Sequence, residues 1–540
     1  MSRLPQLLFI GACVSMLPRA SRASQLPETL AGLPAETSVA FHVPRARLLF
    51  AELERMRPAL SLFVPAAREL EAEPLLALLA WGHAPGEEHT ARPSGLDPEG
   101  PVFVRATGTL DAAVIVLPVA DPEKTKAWLL GLPTPSLDRV QTELGEVVLI
   151  AEQSSLPVAC VVGEKTLTCQ IGHPVMGGLS PLLAQLRPAG PRLGAMPAMV
   201  SGYAALPDDA DWTALIRPAA LATALANRWS RTMEFAHRLH PAAVRKEVHR
   251  KVAKVHDAAR SYAHLFEGIA LAGRSERGRS TVRAVVQTSP TGAAVLGRWL
   301  GPSGGGEALR TWASSPALFG LFLRAQPRLV ASIAEGLGVD LPDASLDGTL
   351  ALLTFGIDTH CPQARAEAGS GFAALFPSAV AVGLRGPSAA KMVPERFERA
   401  FSVVRELGQV TFVDTSARPP LVFEGRHHGR FELRVLDDVF LVGTGPLGAH
   451  AAVRRLSRSK EHAGPPSAEA PFFRAALDLA AVDAAISATR VEPEHRVELR
   501  WIDRMQRRLS PLLAQMRRVE VSAHLGETKR SLRLDLAMGR

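Results

Sequence analysis

The feature of the 540-residue sequence that most restricts its fold is that the second half repeats the pattern of the first. In each half, a strand-like run and a second apolar run lead into a helix, and a hairpin and a short helix follow. Each half then closes with two segments whose alternating pattern predicts half-buried antiparallel strands. The corresponding pieces are 101–105 and 349–355, 112–119 and 379–384, 122–130 and 394–407, 158–171 and 431–442, 179–187 and 447–456, 199–206 and 472–479, and 269–286 and 519–538.

This pattern predicts an α+β fold made of two pseudo-repeats. Strands occur in hairpins, with helices between the groups of strands, so each repeat is expected to hold a mostly antiparallel sheet packed by helices. A doubly wound parallel sheet would instead alternate single strands with helices. We predict a signal peptide over 1–23, the first repeat over 24–288, a glycine-rich linker over 289–308 and the second repeat over 309–540.

The N-terminus has the pattern of an export signal. A basic start at Arg3 precedes an apolar run over Leu4–Leu17, and Ser21-Arg22-Ala23 offers small residues for cleavage. No other stretch is long and apolar enough for a transmembrane helix, so the mature chain is expected to have none. Ile10-Gly11-Ala12-Cys13 also resembles a lipobox, which leaves a lipoprotein anchored through Cys13 as an alternative. The predicted location is the periplasm or cell envelope.

Two of the four cysteines lie in one predicted hairpin. If its turn is centred on Glu164-Lys165, Cys160 lies opposite Cys169, with Cβ atoms about 4.5–5.5 Å apart. A disulfide is therefore expected in an oxidising compartment, and two small buried apolar side chains are the alternative. Cys361 has no evident partner in the sequence.

The positive charge is concentrated in two corresponding segments. The net charge is +8, and segments 236–283 and 490–533 carry +7 and +5. One interpretation is a solvated helix face, and the other is a surface for anionic lipid headgroups or envelope polysaccharide. A nucleic acid is not expected, because an exported chain would not meet it and aromatic residues for base stacking are scarce there. The candidate binding residues are Arg245, Lys246, Arg250, Lys251, Arg507 and Arg508.

Two motifs resemble chemical sites without meeting their requirements. Gly443-Thr444-Gly445-Pro446-Leu447-Gly448 has the glycine spacing of a dinucleotide site, but it follows the second strand of a hairpin. His249 and His256 flank one apolar helix stripe about 10.5 Å apart along the axis, too far to share a metal. No nucleophile or metalloprotease motif is present. We therefore predict no cofactor, no metal and no catalytic residue.

The layout resembles uncharacterised exported bacterial proteins built from duplicated α+β modules. The resemblance rests on Leu33-Pro34-Ala35 before the strand Val39–Val43, the Leu-Asp signals at Leu96 and Leu346, and the repeated hairpin and helix. It implies the architecture and export, and it brings no catalytic residues with it.

These observations predict an exported envelope protein with a non-catalytic binding or structural role, whose basic helices face an anionic envelope partner. A carrier of an apolar ligand between the repeats is an alternative. An enzyme of another class, a hydrolase acting on envelope material through residues scattered along the chain, is a further alternative.

Overall fold

The structure is a computed structural model in which the placement of the following residues can be described. They are 26–48, 95–106, 112–131, 136–142, 145–151, 158–172, 190–226, 263–276, 279–300, 307–314, 318–336, 341–355, 378–386, 391–393, 410–412, 421–425, 429–436, 438–444, 452–459, 471–488, 517–526 and 530–539, with one or two residues at a time, such as Leu182 and Gln185, between them.

The described residues belong to two compact units. Unit 1 lies within Met1–Ala293 together with Arg530–Arg533, and unit 2 lies within Ala294–Lys529 together with Leu534–Arg540. Both units contain mainly antiparallel strands with short helices, so the predicted α+β class is confirmed.

Ten strands form the sheet of unit 1. They are β1 Val39–Val43, β2 Val102–Ala106, β3 Ala112–Pro118, β4 Ser136–Thr142, β5 Gly145–Ala151, β6 Val158–Val162, β7 Thr166–Gly172, β8 Trp212–Ile216, β9 Phe266–Glu276 and β10 Arg279–Thr288. Their spatial order is β4-β5-β6-β7-β3-β2-β1-β8-β9-β10, and all neighbours are antiparallel.

Ten further strands follow in the second half of the chain. They are β11 Phe319–Arg324, β12 Leu346–Thr354, β13 Ser378–Leu384, β14 Val410–Phe412, β15 Leu421–Gly425, β16 Gly429–Leu436, β17 Val439–Thr444, β18 Phe473–Asp478, β19 Arg518–Leu525 and β20 Ser531–Gly539. Their order is β14-β15-β16-β17-β13-β12-β11-β18-β19-β20. This is the order of the first ten strands with every number raised by ten.

Helices connect the strands. They are α1 Glu28–Ala31, α2 Pro122–Leu130, α3 Pro197–Ala204, α4 Pro290–Trp299, α5 Glu307–Ala313, α6 Pro327–Gly336 and α7 Leu479–Ala488. Helix α2 shows why such a segment is helical: the Lys124 N–H donates to Asp121 Oδ1 at 3.1 Å, Pro122 occupies the first turn, and Gly131 follows the last.

Each sheet has a helix-covered face that forms part of its core. In unit 1, Met199 and Tyr203 of α3 belong to one buried cluster with Ala40, Phe103 and Leu215 of the sheet. In unit 2, Leu309 and Trp312 of α5 belong to a buried cluster with apolar residues of β11, β12 and β17, which are Phe322, Leu353 and Leu441. Burial of these side chains is the main favourable contribution to folding.

Two details differ from the pattern predicted from the sequence. Segment 199–206 falls largely in helix α3, whereas its supposed counterpart 472–479 contains strand β18. The unit 1 strand in the position of β18 is β8. The prediction matched the wrong segments because a short apolar run alone does not distinguish a helix from a strand. The segment predicted as a linker, 289–308, contains α4, whose start is capped by Ser289 Oγ accepting from the Gly292 N–H at 3.0 Å.

Candidate functional site

The six candidate binding residues, Arg245, Lys246, Arg250, Lys251, Arg507 and Arg508, lie outside the described residues. The structure does describe the strands on either side of them. The first four lie between the end of β8 at Ile216 and the start of β9 at Phe266, and β8 pairs with β9. Arg507 and Arg508 lie between β18 and β19, which are also paired. The first group therefore lies in the segment that connects β8 to β9, and the second lies in the segment that connects β18 to β19, the strands in the same positions of unit 2.

Some arginines of the two basic segments lie on these strands and form ion pairs. In unit 1, Arg274 of β9 pairs with Asp209 and Glu276. In unit 2, Arg518 Nη2 lies 3.9 Å from Glu520 Oε2. An arginine already paired on its own sheet contributes less to binding an anionic partner, because its charge is partly neutralised.

The hairpin of β6 and β7 contains the predicted cysteine pair. Cys160 lies directly opposite Cys169, their Cα atoms are 4.1 Å apart, and a disulfide joins them. Both residues are buried. Cys160 and Cys169 lie two residues beyond the pair Val162–Leu167, and two residues beyond the pair Val435–Phe440 of unit 2 lie Leu433 and Val442, which are also opposite each other. Cys13 and Cys361 lie outside the described residues.

Unit 1 contains a group of buried polar side chains that the sequence did not single out. This group, here called the polar row, comprises His42, Arg105, Thr168, Gln170 and Thr213, all buried. Register places them on one face: His42 lies opposite Thr213, and Arg105 and Gln170 both lie opposite Val114. The sequence shows each of them as a polar residue in a strand that also holds buried apolar residues. It does not show that they share one face, because that depends on the strand order.

Most of the polar row is hydrogen-bonded, as burial of polar groups requires. Arg105 Nε donates to Gln185 Oε1 at 2.6 Å, and the Leu182 N–H donates to Gln170 Oε1 at 3.0 Å. Thr213 Oγ1 lies 3.4 Å from His42 Nδ1, and the His42 ring stacks on Phe103 with centroids 4.8 Å apart. These contacts join the sheet to residues 182 and 185 of the chain that follows β7.

Burial also controls the charges of this group. Desolvation lowers the pKa of His42 to about 4, so its imidazole is neutral at neutral pH. Burial lowers the pKa of Arg105, while the charge of Glu36 acts in the opposite direction. Burial raises the pKa of Tyr203, which hydrogen-bonds Thr213. A neutral histidine and a buried tyrosine are therefore packed inside unit 1.

The equivalent positions of unit 2 show that the fold does not require these polar groups. When Cys169 is matched to Val442, the strand pairings of the two units match the remaining residues in turn. His42 then corresponds to Phe322, Arg105 to Leu353, and Thr168 to Leu441. All three unit 2 residues are buried and apolar. The polar side chains at His42, Arg105 and Thr168 therefore have apolar counterparts in unit 2, whereas the counterpart of Thr213 is Arg474, which is also polar.

Of the other sequence motifs, His249, His256 and residues 445–448 of the glycine motif lie outside the described residues. Gly443 lies in β17, which is antiparallel to both of its neighbours, so it does not begin a parallel nucleotide-binding unit. Within the described residues, no group of three or more His, Cys, Asp or Glu side chains could hold a metal ion. Over the same part of the chain, no helix is both long and apolar enough to span a membrane.

Comparisons with known proteins give only a weak structural similarity. No family model matches the chain, and no curated protein matches it. Similar solved structures include crystal forms I, III and IV of TP0453, a Treponema protein. Each is 10% identical, with TM-scores of 0.25, 0.25 and 0.24, and the alignments cover 50%, 51% and 51% of this chain and 81%, 86% and 85% of the other. Similarity at this level carries no argument about function.

Proposed function

We propose that this chain is an exported envelope protein made of two copies of one α+β module, and that it binds an anionic envelope partner without catalysis. The anionic partner is a lipid headgroup or an envelope polysaccharide. The binding residues are Arg245, Lys246, Arg250 and Lys251 in the first copy and Arg507 and Arg508 in the second.

The observation that carries the proposal is the place of the positive charge. The segments with +7 and +5 overlap the same connection of the ten-strand order, while the remainder of the chain sums to −4. Charge arising only from arginine-rich composition would be spread along the chain. Two segments of like charge in a chain whose remainder is slightly acidic favour attraction to a polyanionic surface, which salt would weaken.

Local details support the duplication. The Asp97 Oδ1 atom accepts a hydrogen bond from the Glu99 N–H at 3.0 Å, and Asp347 Oδ1 accepts from the Thr349 N–H at 2.7 Å. The same aspartate turn therefore precedes β2 and begins β12. Support for export comes from the N-terminal sequence over 1–23, with its basic start, apolar run and small-residue cleavage site.

The test is binding of the full chain to phosphatidylglycerol vesicles and, separately, to an anionic polysaccharide matrix. Reversal of four charges, R245E/K246E/R250E/K251E, should reduce retention on the binding surface by at least about tenfold, because each lost contact to a headgroup contributes about 1 kcal/mol. Comparison of the two surfaces identifies whether lipid or polysaccharide is the partner.

A matched control reverses four other cations. Arg47, Lys124, Arg139 and Arg328 have side chains that are 53%, 59%, 56% and 81% exposed, and none lies in the two basic segments. Reversing them changes the net charge by the same amount and should leave most of the retention intact. Equal losses in the two variants would show that only net charge matters, and unchanged retention of R245E/K246E/R250E/K251E would overturn the proposal.

A further inference from the structure

A buried carboxyl group lies directly before β8, at the end of the ladder that β8 forms with β9. Asp211 directly precedes β8, and its side chain is fully buried. Its backbone N–H donates to the Gly273 carbonyl at 2.8 Å. Because Trp212 lies opposite Gly273, this bond extends the ladder by one residue and places Asp211 beside Arg274 of β9.

The hydrogen bonds of this cluster are incomplete. Asp211 Oδ2 accepts from the Ser275 N–H at 2.8 Å, whereas Asp211 Oδ1 has no partner among the described residues. Arg274 binds Asp209 through Nη1 and Glu276 through Nη2. Its Nε atom is buried and, among the same residues, lacks an acceptor. An unused acceptor and an unused donor therefore lie on neighbouring residues across the ladder.

The cluster also has more acids than bases. Three carboxyl groups, those of Asp209, Asp211 and Glu276, surround the guanidinium of Arg274. Burial, the largest effect, raises the pKa of Asp211 to about 7, and the charges of Asp209 and Glu276 act in the same direction. The Ser275 N–H and Arg274 act against them. A proton on Asp211 lowers both the desolvation cost and the repulsion.

The remaining neighbours come from β10 and from the turn before β8. Ser280 and Thr281 of β10 are uncharged and hydrogen-bond Ser275 and Arg274. Arg283 of the same strand lies on this face one pair further along, opposite Ala272. Asp208, next to Asp209 in the turn, is exposed. Arg279 of β10 lies opposite Glu276 and is exposed. Arg274 is the cation that pairs with both Asp209 and Glu276 and lies beside Asp211 in the ladder.

Unit 2 shows that a carboxyl group is not needed at this position. The Phe472 N–H donates to the Ala523 carbonyl at 3.0 Å, which is the bond that Asp211 makes to Gly273. Phe472 therefore takes the place of Asp211. Retaining a buried, partly unpaired acid where an apolar residue suffices costs stability, which favours a role for the acid beyond folding.

We propose that Asp211 and Arg274 form a proton switch for the turn before β8. With Asp211 protonated, Arg274 binds Asp209 and Glu276 and holds the turn, residues 206–210, against β9. With Asp211 ionised, the Arg274 Nε–H donates to Asp211 Oδ1, the guanidinium moves away from Asp209, and the turn is released.

The sign of the pH effect follows from linkage. Asp211 binds its proton more tightly in the folded chain than in the unfolded chain, so its contribution to stability is complete at low pH. That contribution is lost as pH rises towards about 7, where folded Asp211 ionises. The turn should therefore open more often as pH rises through neutrality, while the rest of the sheet stays closed.

Hydrogen exchange followed by mass spectrometry tests the switch on the full chain. After correction for the intrinsic pH dependence of exchange, peptides covering 206–210 should exchange at least about tenfold faster above the transition than below it. In D211N the same peptides should remain protected at every pH, and the fall in Tm between mildly acidic and mildly alkaline pH should be smaller than in the wild type.

Two controls separate the switch from general pH effects. D208N changes an exposed acid of the same turn, and it should keep the wild-type transition because the described ion pairs of Arg274 are with Asp209 and Glu276. D209A removes the acceptor that holds the turn, so the peptide should exchange rapidly at every pH. A transition that persists in D211N overturns the proposal. Absence of a transition in the wild type near neutral pH overturns it even if no variant folds.

Discussion

At the residue scale, one pair of positions takes different side chains in the two units for a steric reason. Trp212 lies opposite Gly273 in unit 1, and Phe473 lies opposite Ala523 in the same place in unit 2. A Cβ atom at Gly273 would lie 2.0–2.1 Å from atoms of the indole ring, so no side chain fits beside this tryptophan. The smaller phenylalanine leaves room for alanine.

This pair gives a prediction for Gly273→Ala. The substitution should lower the free energy of unfolding by about 2–3 kcal/mol, because the added methyl group overlaps the Trp212 ring. The double variant W212F/G273A reproduces the Phe473–Ala523 pair and should recover most of the loss. Urea unfolding of wild type, both single variants and the double variant measures the coupling. A double variant no more stable than G273A would show that the two positions are not equivalent.

At the element scale, helices and strands with a strong local sequence signal could be predicted from the sequence, and those with a weak signal could not. Helix α2 matches its predicted bounds, Pro122–Leu130, because a proline, a capping aspartate and a glycine define its ends. The hairpin of β6 and β7 has the register expected from its two-residue turn. Strand β4 was missed because its sequence, SLDRVQT, lacks the apolar alternation of a strand with one buried face.

For the candidate sites too, the sequence predicts what depends on neighbouring residues and not what depends on the strand order. The cysteine pair follows from a local register, whereas the polar row brings together residues from β1, β2, β7 and β8. No short-range pattern reveals that His42, Arg105 and Gln170 share one face, because that depends on the strand order. The proton switch was missed for the same reason: Asp211 and Arg274 are 63 positions apart in the sequence.

The polar row leads to a prediction that involves several strands at once. Arg105→Leu copies Leu353 of unit 2 and should leave stability unchanged or higher, because an apolar side chain replaces a buried charge. Both this variant and Arg105→Ala remove the hydrogen bond to Gln185. Arg105→Ala should in addition leave a cavity that leucine fills, and it should cost about 2–4 kcal/mol. Thermal unfolding of the two variants makes the comparison. A loss in R105L as large as that in R105A would mean that unit 1 needs the guanidinium to fold.

At the scale of the whole molecule, each unit follows the same strand order, and each carries its excess of positive charge around the same connection. If both copies bind the anionic partner, the reversal R507E/R508E in the second copy should weaken binding further when added to R245E/K246E/R250E/K251E. Vesicle co-sedimentation of the two-unit variant against each single-unit variant measures whether the contributions add.

The central claim is that the chain binds an anionic envelope surface through these charges. The most direct test is the affinity of the full chain for phosphatidylglycerol and phosphatidylcholine vesicles, and for an anionic polysaccharide, between about 50 mM and about 500 mM salt. The account predicts binding to an anionic surface that weakens steeply as salt rises, with no binding to the neutral vesicles. Equal affinity for neutral and anionic surfaces, or affinity independent of salt, would contradict it.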